Sequence, residues 1–117
     1  MHLRQWVFSG DESFSIVFDR TALIMAVVQF WDEPVSGRLL AIGVDGAPFA
    51  NGLTRIASST NPRPDLWGTT PVTAGSYVIA ALGSSDSGST WTAGTGAASG
   101  SIAIWVGDAS YALQDGT

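Results

Sequence analysis

A chain of 117 residues has room for one domain and one hydrophobic core, and its ten acidic residues against five arginines give a net charge of −5 that repels nucleic-acid phosphates. Hydrophobic residues make up 45% of the chain and charged ones only 13%, about half the share of a typical soluble domain, which leaves little ionic covering for a free surface. There is no lysine and no cysteine, which excludes disulfide frameworks, thiolate metal sites and lysine chemistry.

The N-terminal stretch 3–8 is aromatic-rich and ends at Ser9-Gly10-Asp11, a turn signal. Residues 13–19 follow with Phe14, Ile16 and Phe18 on one side and Ser15 and Asp19 on the other, the period of a half-buried strand. The two segments together predict a hairpin. Neither a basic region nor a long apolar run with a small-residue cleavage site opens the chain, so export by a signal peptide is not expected. The most apolar run, 22–31, is too short to cross a bilayer as a helix, and its β-branched and aromatic content predicts a buried strand. Residues 37–44 form another strand, closed by Asp45-Gly46, a pair suited to the positive φ angles of a type I′ turn. A return strand near Ala47 is held to an edge by Pro48, and 53–57 continues the sheet. Residues 58–73 hold Pro62, Pro64 and Pro71 with Asn61, Asp65 and Gly68, which predicts a long loop. Two further strands, 75–83 and 101–107, flank a Ser/Gly/Thr/Ala segment around Trp91, and a short last strand is expected at 110–114. Eight or nine short strands with little helical patterning predict an all-β fold: one antiparallel β-sandwich domain over 1–117, jelly-roll-like, with about eight strands.

Catalytic chemistry finds few candidates. A hydrolase triad needs a positioned base, and the only histidine is His2 beside the chain end. Asp11-Glu12 and Asp32-Glu33 are sequence neighbours whose side chains would diverge on a strand, so they read as solvated loop charges. Asp45, Asp86 and Asp108 could meet only through folding, and the Asp-x-Asp spacing of a calcium loop is absent. The segment 83–100 contains Gly94-Thr95-Gly96 but leads into a strand, whereas phosphate cradling needs a helix N-terminus. No enzyme activity, metal or cofactor is expected.

Five tryptophans are the most informative side chains. Trp6 and Trp105 lie within predicted strands and read as core. Trp31, Trp67 and Trp91 lie at a strand end or in predicted loops, where a large ring needs something to cover it; these three, with Leu66 beside Trp67, are the interface or ligand candidates. The strands at 22–31, 75–83 and 101–107 contain no charge, so their edges are expected to be paired or covered in an assembly.

The segments 75–82 (GSYVIAAL) and 101–106 (SIAIWV), divided by a Gly/Ser/Thr loop, together with a Met1 start and the absence of signal peptide and cysteine, give the chain a resemblance to small β-sandwich structural proteins of tailed-phage virions. These are capsid decoration proteins and minor tail or fibre-tip proteins. The resemblance implies a non-enzymatic protein, made in the host cytoplasm and repeated by symmetry on the virion; it assigns no functional residue. Expected partners are further copies of the chain and other virion proteins, with no nucleic acid and no membrane insertion. The alternative is a carbohydrate-binding, lectin-like module that stacks a glycan on Trp67 or Trp91.

Overall fold

The computed structural model describes residues 2–34, 37–93 and 99–108, and in them the chain is all β. Seven strands carry the architecture: β1 (His2–Ser9), β2 (Ser13–Phe18), β3 (Ala22–Phe30), β4 (Leu39–Val44), β8 (Leu66–Val72), β9 (Gly75–Ser84) and β11 (Ser99–Asp108). Between them lie two-residue strands: β5 (Ala47–Pro48), β6 (Asn51–Gly52), β7 (Arg55–Ile56) and β10 (Thr92–Ala93). Sheet I has the order β1-β11-β3-β8-β6; in sheet II, β9 pairs with β4 on one side and with β2 and β10 on the other, and β4 also carries β5 and β7. All pairings are antiparallel, and each link between consecutive long strands crosses from one sheet to the other. With β1-β11-β3-β8 facing β2-β9-β4-β5, the order is that of a jelly roll. Local patterns could not supply this order, because it depends on long-range pairing.

Alternation builds both layers. In β3, Ala22, Ile24, Ala26, Val28 and Phe30 face inward and are buried, as are Ile102 and Ile104 of β11 and Leu66 and Val72 of β8. Sheet II answers with Ile16, Phe18, Leu40, Ile42, Ile79 and Ala81, and each large side chain withdrawn from water contributes about 1.5–3 kcal/mol. Aromatic pairs add to the core: Phe8 meets Phe30 edge-on at 5.9 Å within sheet I, and across the layers Trp6 of sheet I stacks on Phe14 of sheet II at 5.4 Å. The Asp45-Gly46 turn has φ of 51° and 83°, as a type I′ turn requires. Asp45 also ties that turn to β9: its N–H donates to Val78 O at 2.8 Å, and its Oδ1 accepts from Val78 N–H at 2.8 Å.

Several expectations need correction. No hairpin joins the first two strands, because β1 pairs with β11 and β2 with β9; the Gly10 turn, at φ 63°, carries the chain across the sandwich so that both strands share one core. The loop expected at 58–73 ends early, since β8 occupies Leu66–Val72. Leu53 N–H donates to Trp67 O, so Trp67, and by alternation Thr69 and Pro71, direct their backbone groups away from β3. Pro71 therefore loses no bond in the β3–β8 ladder, and β6 ends before reaching it. The uncharged runs are interior strands: β3 lies between β11 and β8, β11 between β1 and β3, and β9 between β2 and β4. Their edges are paired within the chain and call for no partner. The strand expected at 110–114 lies outside the described residues.

Candidate functional site

The chemistry-bearing residues are dispersed. Glu12 Oε1 accepts the Ser9 N–H at 2.8 Å and braces the turn after β1, and Asp32 accepts the Ser99 hydroxyl, tying the end of β3 to the start of β11. Asp45 lies at the β4–β5 turn, Asp86 in the β9–β10 loop and Asp108 at the end of β11, on separate elements. Among the described residues no cluster of His, Cys, Asp and Glu could hold a metal ion, and no helix is long and apolar enough to cross a membrane. His2 opens β1; Gly94 and Gly96 lie outside the described residues.

Among the described residues, Asp86 has the most organised surroundings of any acid. Thr90 Oγ1 donates to Oδ2 at 2.6 Å, and Ser84 Oγ and Thr90 N–H donate to Oδ1 at 2.7 and 2.9 Å. The Thr90 hydroxyl, then the Ser84 hydroxyl, then the Thr90 N–H hold its pKa down to about 2 from 3.8. Ser84 Oγ also accepts the Gly88 N–H, and Gly88, at φ 90°, sits close to both Leu39 and Trp91. These bonds fold the loop back on its own sheet and half-bury Trp91 there.

The outward side of sheet I is different. Register places Leu3, Trp105, Met25 and Thr69 in one row across β1, β11, β3 and β8, and Gln5, Ala103, Val27 and Trp67 in the next. Leu23 and Pro71 extend the first end, and Val7 lies on the same face in β1. Trp31 N–H still donates to Ser99 O at 2.8 Å, so the ladder carries Trp31 to the next outward position of β3. None of these positions holds Asp, Glu, Lys or Arg, yet Leu3 is 53% exposed, Val7 62%, Trp31 50% and Trp67 47%. From strand spacing and rise, the patch measures on the order of 500 Å², at the upper end of what a monomer leaves bare.

Of the candidates read from the sequence, the fold brings Trp31 and Trp67 onto one open face. Trp91 belongs to the other sheet, half-covered by its own loop, and Leu66 is fully buried in the core and offers nothing to a partner. Trp105, expected in the core, points outward between Leu3 and Met25. Leu23 and Met25 were missed because 22–31 reads as buried on both sides, and Leu3 and Val7 because only the long-range pairing of β1 with β11 brings them to this face. The near-continuous apolarity of 22–31 was the available signal: an antiparallel strand usually alternates with polar residues on its solvent side, whereas here Leu23, Met25 and Val27 take those positions before Gln29. No family model, curated protein or solved structure matches the chain.

Proposed function

We propose that the chain is a non-enzymatic structural protein that works by assembly, with the outward face of sheet I as its docking surface. Its proposed setting is a phage virion, as a minor tail or capsid decoration component made in the host cytoplasm. The observation that carries the reading is the uncharged apolar face bearing Trp31, Trp67 and Trp105, since a patch of that size on a free surface favours association. Modest contacts repeated by symmetry on a particle become collectively long-lived.

The test is a Met25→Glu/Trp67→Glu double variant. Wild-type protein is expected to join purified particles or to form assemblies larger than a dimer, and the variant to lose that association while keeping its far-ultraviolet circular dichroism. A wild-type chain that stays monomeric, joins no particle and is encoded away from capsid, portal and tail genes removes the reading. A second reading, carbohydrate binding, draws on the open Trp67 ring near Asn51 at the sheet edge. Glycan-array binding lost in Trp67→Ala with the fold intact would favour it.

A further inference from the structure

The two flanks of the sandwich are finished differently. On one, β8 is edged by two-residue β6 and carries Pro71, while β4 is edged by β5, which ends at Pro48, and by β7, which carries Arg55. Short strands, prolines and charges are the usual protection against edge-to-edge pairing. The opposite flank presents β1 in sheet I and, in sheet II, β2 beside the two-residue β10; β1 and β2 are eight and six residues long, with no proline and, of Asp, Glu, Lys and Arg, only Arg4. β1 pairs with β11 residue for residue through eight positions, without a bulge.

The direction of its backbone groups follows from two contacts. Trp31 N–H donates to Ser99 O, so odd-numbered residues of β11 address β3 and even-numbered ones address β1. Ser9 N–H is taken by Glu12 Oε1, in agreement. On β1, Arg4, Trp6 and Phe8 therefore bond to β11, while Leu3, Gln5 and Val7 direct N–H and C=O to the open edge. Among the described residues no strand pairs with that edge.

We propose that β1 pairs with β1 of a second copy of this chain, antiparallel about a two-fold axis through Gln5, making one continuous sheet I across the dimer. In that register Gln5 faces Gln5 and Leu3 faces Val7, so the residues whose free backbone groups point outward are those that meet. Leucine and valine then lie side by side on the outward face. Arg4 faces Trp6 of the second copy, the same kind of ring that it already overlies at 5.7 Å in its own strand. Moving the axis by one residue, which shifts the register by two, is worse either way: centred on Arg4 it sets two guanidinium groups opposite each other, and centred on Trp6 it sets Arg4 opposite buried Phe8. Eight residues at about 3.3 Å each give an edge about 26 Å long, and two layers about 10 Å apart give a flank about 20 Å deep. Two such flanks bury about 1,000 Å² in total, the lower bound for a specific dimer. The pairing uses the edge and not the face, so it stands or falls independently of the docking surface proposed above.

Gln5→Pro tests it, because the Gln5 N–H points out of the fold and a proline there costs no bond to β11. Wild-type protein at micromolar concentration is expected to sediment at twice the chain mass, with amide exchange at Leu3, Gln5 and Val7 slowing as concentration rises. Q5P is expected to raise the dissociation constant at least about tenfold with unchanged circular dichroism. Should Q5P not fold, Val7→Lys, which leaves the backbone donors in place and sets lysine against leucine, is expected to dissociate the dimer likewise. A wild-type monomer overturns the proposal. So does a dimer that Q5P or V7K leaves intact with fast exchange at Leu3 and Val7, or one that M25E/W67E separates while the edge variants do not.

Discussion

Leu82 in β9 and Met25 in β3 both stand at outward positions of a central strand, yet Leu82 is buried to 1% and Met25 is 41% exposed. Around Leu82, outward Ala41 and Ala80 are buried within the single chain, and the outward positions that stay open further along sheet II include Ser13, Ser15 and Ser76 beside Val17 and Val78. Around Met25 the neighbours are Leu3, Trp105 and Leu23, and nothing ionic interrupts them. Around Leu82 the outward apolar surface is already used for folding and the open Val17 and Val78 stand among serines, whereas around Met25 the apolar residues stay open together.

The largest expected difference between the two faces is in stability. Leu82→Ala is expected to cost about 3 kcal/mol in urea unfolding, as a buried leucine truncation does, while Met25→Ala stays within about 0.5 kcal/mol. Equal losses would mean that the two faces are equally covered. Gly43→Ala sharpens the same point: a Cβ there would lie 2.1 Å from Leu82 Cδ1 and 2.9 Å from the Ala47 carbonyl oxygen, so overpacking of about 2 kcal/mol is expected from the midpoint shift. On sheet I, M25E/W67E is expected to change folding stability by less than about 1 kcal/mol while removing the face-dependent association, read by sedimentation beside denaturation.

The smallest effect concerns the loop that covers part of sheet II. Asp86 has a folded pKa of about 2 against an ordinary 3.8, so its contribution to stability is present above 3.8 and is lost as pH falls towards 2. Thr90→Val removes the hydroxyl at 2.6 Å and is expected to move the Asp86 carboxyl titration, followed by NMR, upward towards 3.8. An unmoved midpoint would show that the backbone N–H and Ser84 suffice.

Much of the fold was legible where chemistry is local. The period-two pattern of Phe14, Ile16 and Phe18 and the positive-φ demand of Asp45-Gly46 act over a few residues, and both elements form where the sequence predicts them. β8 was not legible, because Pro71 argues against a strand until it is known that its nitrogen lies on the unpaired side. Nor was the candidate face: Trp31 and Trp67 could be named as rings in search of cover, but Trp105, Leu3 and Met25 join them only through the β1-β11-β3-β8 register.

The all-β character, the single core and the shortage of surface charge follow from residue size, polarity and alternation along the chain. Which uncharged strands lie inside a sheet, which apolar residues remain open, and that the bare edge belongs to β1 depend on the folded pairing. Strand neighbours are chosen by hydrogen bonds between segments as distant as β1 and β11, and no local pattern encodes which segments will meet.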